Sequence, residues 1–384
     1  MQCGDYVQIR GCHYVKITNV EVICLAVPLQ RPVLMSFGTM THRKSCLVHV
    51  ETDEGTDGWG ESFVNHPYWA LEERKITIDK GVKPLVIGED PLDIEKLWNK
   101  MYGALNRIGL QAGARGQYMQ AISGIDIALW DLKGKYLRVP VYEMLGGRAF
   151  EKAAVYASGL GPENLEEQIQ ECIPYGIKAF KVKVGFGKDA DIKNVGQARN
   201  LIGTTNRLML DANMAWSKEE ALEMVADLKD YQIEWLEEPC PCDDNDALAY
   251  VSKMSAIKIA GGENVYCRDG FQSAFSQQVF DIAQPDVTKT GGISEMSHIC
   301  RMAGACGKKW APHFFGNAVG LAATLHVFAA ISGGIIVELD ANPNPLRTEL
   351  LENPIEIING LVDIPNGPGL GVRINQSLLL EYRI

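Results

Sequence analysis

The stretch that decides the fold runs from Lys181 to Pro239: KVKVG (181–185), then LMLDAN (208–213), then EWLEEP (234–239). Each is a short apolar run bearing charged residues at its end, and the runs recur about every 25 residues. The pattern continues through IAGGEN (259–264), IAQPD (282–286), APHFF (311–315) and VELD (337–340). Helical stretches such as LEEQIQECIPYG (165–176) and KEEALEMVADLKDY (218–231) lie between strands. Candidate strands fall near 153–158, 178–184, 207–211, 234–237, 257–262, 280–284, 308–312 and 334–339. The runs are continuously apolar, as parallel strands covered on both faces should be. Regular alternation of this kind predicts an α/β chain whose residues 146–350 form a (β/α) barrel of modified TIM type.

Residues 1–145 read differently. VKITNVEVICLAVPL and KSCLVHVETDEGTDGWGE, within 16–63, alternate as antiparallel strands do, with Asp53-Glu54-Gly55 as a turn. From about residue 70 the pattern turns helical, and SGIDIALWDLKGKYL (123–137) has apolar spacing with Ser123 placed as a cap. An N-terminal α+β domain is expected, bounded by Gly146-Gly147-Arg148. The turn-rich segment 351–384 is expected to pack back on that domain or beside the barrel.

Composition sets outer limits. The chain has 384 residues, 46% hydrophobic and 22% charged, enough for a barrel plus a smaller domain. A net charge of −11 without any Lys/Arg-rich run argues against nucleic acid or an anionic membrane as partner. The ten cysteines are scattered, and Cys240-Pro-Cys242 is the one close pair, so reduced thiols are expected. MQCGDYVQIR shows no secretory pattern, and a cytoplasmic protein is expected. Gly320–Leu339 is nearly all apolar, but His326, Gly333-Gly334 and Glu338 break it into a buried helix, a turn and a strand.

Functional side chains of such a barrel gather at the C-terminal ends of its strands. Asp211, Glu237 and Glu263 end three successive strands, and three carboxylates without Cys or His suit a hard divalent ion, Mg²⁺ or Mn²⁺. Lys181 and Lys183, two apart on one strand, share a face. Each is expected to depress the other's pKa and so approach a useful base. Asp286 beside His313 would fix the imidazole tautomer and raise its basicity. Glu338, opposite a metal-bound carboxylate, is expected to stay protonated and donate a hydrogen bond to a developing enolate oxygen. Asn213 is a candidate donor beside Asp211, and His326 in its apolar helix is a core histidine. A Schiff-base aldolase using a barrel lysine is the competing class, and the carboxylate trio speaks against it.

GWGE (58–61), SGIDIALWDLKGK (123–135), Lys-Val-Lys, the Asp/Glu/Glu set, QPDVTKTGG (284–292), the histidine and the last glutamate together resemble the enolase superfamily, in particular its mandelate racemase subgroup. Within it the chain looks most like acid-sugar dehydratases and galactarolactone cycloisomerase. The resemblance implies a capping role for the N-terminal domain, with specificity loops around 31–43 and 63–68. Arg31, His42, Arg43 and His66 are then candidates to meet a polar carboxylate substrate. It also implies a homo-oligomer (dimer or octamer) and Mg-dependent removal of the proton α to a carboxylate. Dehydration of a sugar acid or diacid is the expected outcome, with lactone cycloisomerisation or racemisation as alternatives.

Overall fold

The computed structural model describes residues 14–384. The stretch MQCGDYVQIR, which shows no secretory pattern, and Cys12 lie outside them. Strands β1 (Ile17–Met35), β2 (Gly38–Thr52) and β3 (Asp57–Ser62) form an antiparallel meander. Segment 31–43, expected as a loop, is instead the far end of the β1–β2 hairpin. Pairing resumes past a bulge between Pro28 and Val33, with Val33 opposite Met40, and turns at Ser36-Phe37.

Helix Arg115–Leu137 covers one face of this sheet, and helix Ile94–Ala112 packs against that helix. Helix Arg115–Leu137 starts eight residues before Ser123, so Ser123 is not its cap. Its hydroxyl donates to the Met119 carbonyl and accepts from Gly291 N–H at 2.9 Å. The sheet and this helix meet backbone to backbone. A Cβ on Gly58 or Gly60 would fall onto the carbonyl oxygens of Ala128 and Gly124. The glycines of GWGE are there because nothing larger fits.

The barrel strands follow: β4 (Lys152–Leu160), β5 (Ala179–Lys183), β6 (Arg207–Asp211), β7 (Ile233–Glu237), β8 (Lys258–Gly261), β9 (Ile282–Ala283), β10 (Lys309–Trp310) and β11 (Val337–Asp340). They lie within a few residues of the positions expected from sequence. Successive strands pair in parallel from β4 to β10, and β11 returns to pair with β4, placing Glu338 beside Tyr156. A parallel bridge between Trp310 and Gly334 brings the lead-in of β11 beside β10 and closes the ring. Tyr156, Met209, Trp235, Ile282, Ala311 and Ile336 cluster as its packed floor. Two short strands of the tail, β12 (Ile357–Ile358) and β13 (Leu361–Asp363), add an antiparallel hairpin to the first residues of β4. The chain end returns to β1, where Ile384 N–H donates to the Cys24 carbonyl.

Buried acids tie the two units together. Asp126 accepts from Ser294 N and Oγ (3.0 and 2.6 Å) in the first turn of helix Gly292–Ala305. Glu61 accepts from Asn317 N and Gly320 N, both 2.8 Å, at the start of helix Ala318–Ala330. Asp131 accepts from Trp59 N and Leu370 N, both 2.8 Å, and so joins β3 to the tail. Carboxylates at helix N-termini are favourable. Burial still pushes Glu61 and Asp126 up to about 7.

The apolar stretch 320–339 divides as expected, into helix, turn and β11, and among the described residues no helix is long and apolar enough to cross a membrane. The described cysteines are free thiols. His326 is fully buried, its Nδ1 accepts from Tyr142 N–H at 3.2 Å, and burial lowers its pKa from 6.5 to about 4. A folded-state pKa below the unfolded one means stability present above pH 6.5 and lost as the pH falls through 4. Between pH 6.5 and 5 this histidine alone should cost roughly 2 kcal/mol. Urea unfolding of the wild type and of His326→Gln at those two pH values checks it. The acid loss should shrink by that amount in the variant.

Candidate active site

Asp211 and Glu237 end adjacent strands β6 and β7 in register, and Glu263 follows β8 by two residues. Asp211 and Glu237 are about 1% exposed. Lys183 sits beside Asp211 across β5–β6 and donates to it at 2.6 Å and to Asn213 Oδ1 at 2.8 Å. Asn213 holds a left-handed backbone (φ 45°), which asparagine tolerates better than most residues, and its N–H donates to Asp211 Oδ1 at 2.9 Å. Lys181 reaches both Glu237 oxygens at 2.8 Å and Glu338 Oε1 at 2.7 Å. At the other end of the row, His313 Nε2 meets Glu263 Oε2 at 2.8 Å and its Nδ1 meets Asp286 Oδ2 at 2.6 Å. Asp286 is itself anchored by Thr288 N (2.7 Å) and Oγ1 (2.6 Å). The result is a row of three acids flanked by an amine and an imidazole.

The electrostatics correct two expectations. Burial lowers both lysines, but cross-strand carboxylates outweigh it: Asp211 for Lys183, and Glu237 with Glu338 for Lys181. Both ammonium groups are held above the usual lysine value, so mutual repulsion does not decide their state. Glu338 was expected to be protonated. Although its burial favours that form, Lys181 and His313 bring it down to about 2, and its Oε2 accepts from Phe314 N at 3.0 Å. It is an acceptor here, not a donor. His313 is likewise raised well above its usual value, Glu263 and Glu338 overcoming burial.

Among the described residues no three His, Cys, Asp or Glu side chains surround a common point, so the expected ligands are not gathered. Each is turned toward a protein cation. The donor set nevertheless fits a hard divalent ion. Burial, with Asp211, Glu338 and Glu263 close by, pushes Glu237 up to about 7 even with Lys181 bonded to both its oxygens. Six acids (Asp211, Glu237, Glu238, Glu263, Asp286 and Glu338) face four cations (Lys181, Lys183, Lys289 and His313), and all three donors are oxygen.

Residues 17–146 match the mandelate racemase/muconate lactonizing enzyme N-terminal domain, and residues 164–378 match the enolase C-terminal domain-like family. The chain belongs to the mandelate racemase/muconate lactonizing enzyme family. It is 35% identical to a D-galactarolactone cycloisomerase of Agrobacterium fabrum, over 96% of this chain and 99% of that one. It is 36% identical to an arabinonate dehydratase of Saccharolobus solfataricus, over 87% and 89%. Among solved structures, a racemase from Streptomyces coelicolor A3(2) with bound magnesium has a TM-score of 0.86 at 28% identity, covering 96% of this chain and all 100% of that one. This chain is therefore an enzyme of the lyase or isomerase class found in the family.

In this mandelate racemase-type enzyme the cap residues expected to meet substrate are mostly committed elsewhere. Arg31 pairs with Glu171 at 2.8 Å and Glu167 at 3.4 Å on the barrel's first helix. Arg43 is buried against Asp340, just past Glu338, and lies 4.9 Å over the Phe315 ring. Both tie the cap hairpin to the barrel, and Arg43, being buried, needs its carboxylate partner. His66 is exposed and edge-on to Phe37, with ring centroids 5.3 Å apart. His42 is exposed and its Nδ1 is 3.1 Å from the Thr41 hydroxyl.

Other site residues carried no expectation. Gln284 donates to Glu237 at 2.5 Å. Lys289 is buried, 3.0 Å from Asn264 Oδ1 and 3.4 Å from Glu263, with the Phe63 ring 4.7 Å away. Glu238, beside Glu237, accepts from Asn264 at 2.9 Å, and burial with Glu263 nearby pushes it up to about 8. Gln284 had a readable signal: it lies just past β9, two residues before Asp286.

Proposed function

We propose that this enzyme removes the proton α to the carboxylate of a sugar acid or sugar diacid and expels the β-hydroxyl, giving a 2-keto acid. The observation that carries this reading is the row of carboxylates flanked on one side by Lys183 and on the other by the His313–Asp286 pair. Asp211 and Glu263 hold both flanks protonated while they face them bare. With a divalent cation on those acids that hold is relieved, so that one flank gives up its proton and takes the α-proton while the other stays protonated. When the C–O bond at the β-carbon breaks, its electron pair leaves with the hydroxyl, which takes the second group's proton and departs as water. The enol that remains tautomerises to the ketone. Asp286 holds His313 in one orientation, and Glu338 fixes Lys181 and the Phe314 N–H. Asp211, Glu237 and Glu263 would hold Mg²⁺ or Mn²⁺, which supplies Lewis-acid neutralisation of the charge growing on the substrate carboxylate.

A second reading is opening and isomerisation of a sugar-diacid lactone, which uses the same α-proton step. The 35% identity to the galactarolactone cycloisomerase, over 96% of this chain, favours it. A panel of sugar acids, diacids and lactones with Mg²⁺, assayed for 2-keto acids and run in parallel in D₂O, separates the readings. A keto product from open acids supports dehydration, and one from lactones alone supports cycloisomerisation. Exchange of the α-hydrogen without a keto product points to racemisation. EDTA should abolish activity, and activity that survives it, or a covalent adduct trapped by borohydride, would sink the proposal.

A further inference from the structure

A cavity of about 790 Å³ opens on the outer wall of the barrel, behind the strand that bears Glu338. Side chains alternate along a strand, so with Glu338 and its neighbour Tyr156 facing inward, the register pair Leu339–Ala157 faces out and lines the cavity. Much of the remaining lining is apolar, including Ile177 and Ile355.

Two polar side chains in this lining have unmet bonding capacity. Arg347 is half-buried with its Nε out of reach of solvent, and its guanidinium makes no hydrogen bond or ion pair with any described residue. Asn344 is 3% exposed and gives its Nδ2 to the Gly316 carbonyl at 3.3 Å, yet its buried Oδ1 accepts nothing among the described residues. Asp340 acts on Arg347 by its charge but bonds Arg43, and Glu171 bonds Arg31. A buried N–H without an acceptor is costly, and so is a buried amide oxygen without a donor.

We propose that this cavity binds an organic monoanion with an apolar body, its acid group on Arg347 and a hydroxyl or N–H on Asn344. The volume is that of a small-molecule site. The apolar wall and the carboxylates of Glu349 and Glu356, also in the lining, disfavour a ligand with several charges. The site shares no residue with the lysine–carboxylate row, so it stands or falls apart from the proposed reaction.

The test uses 8-anilinonaphthalene-1-sulfonate, which carries a sulfonate, an aromatic body and an N–H. Fluorescence titration of the full chain should show one saturable site per chain. Arg347→Gln should weaken binding about tenfold or more. Ile355→Asp, which sets a negative charge on the wall and leaves Arg347 alone, should do the same. Melting curves establish that each variant is folded, and if Arg347→Gln is not, Ile355→Asp decides alone. Wild-type affinity in either folded variant, or absence of a saturable site, overturns the proposal.

Discussion

Lys183→Ala and His313→Asn are each expected to lower kcat by roughly 10³-fold or more, since each removes one of the two groups that move protons. Magnesium binding should survive both changes. In the first it should tighten, because the Lys183 ammonium now occupies Asp211 at 2.6 Å and competes for that oxygen. In the second, Glu263 loses its 2.8 Å partner and is freed in the same way. Calorimetric titration of Mg²⁺ beside steady-state rates checks both halves. Deuterium exchange adds a finer readout. A variant lacking the abstracting base should lose α-hydrogen exchange, whereas a variant lacking only the acid should retain it. Loss of magnesium affinity together with activity would mean that these residues build the site and do not run the chemistry.

Gly60→Val should leave no folded enzyme. The new Cβ would land on the Gly124 carbonyl oxygen and beside the Ala128 N–H, backbone atoms of a buried helix that cannot move away. Overpacking that only side chains resist costs about 1–3 kcal/mol, and a clash with backbone on both sides should exceed this well enough to exhaust a domain's stability. Gly161→Ala is the matched control, since a Cβ there meets nothing within 4 Å and its φ is unremarkable. Soluble yield and melting temperature separate the two. A Gly60→Val protein that melts near the wild type would show that helix Arg115–Leu137 is not held against β3 as described.

Much of this architecture was legible because buried parallel strands announce themselves as unbroken apolar runs. LMLD and EWLE needed no partner to be recognised, and β6 and β7 lie where those runs predict. Strand-end position also singled out the acids, the lysines and the histidine without any knowledge of distances. What failed depended on register. Lys181 and Lys183 show only each other along the chain, whereas their states are set by Glu237, Glu338 and Asp211 on other strands. Glu338 was misjudged for the same reason, Lys181 lying on a strand far away in sequence. Arg31 and Arg43 read as free loop residues because a bulged hairpin that continues past Pro28 leaves no simple alternation. Ser123 looked like a cap because the polar face of its helix's first two turns masks the true start at Arg115.

The pairing of β4 carries a consequence for synthesis. Its register partners on one side, Val337–Asp340 and Leu361–Asp363, leave the ribosome long after it does. Until then Lys152–Leu160 has β5 on one edge and bare amides on the other, the kind of edge that recruits foreign strands. Nascent chains stalled short of Val337 should therefore depend on chaperones and aggregate when released, and the protein's yield in a cell should hinge on how quickly the stretch from Val337 to Asp363 arrives.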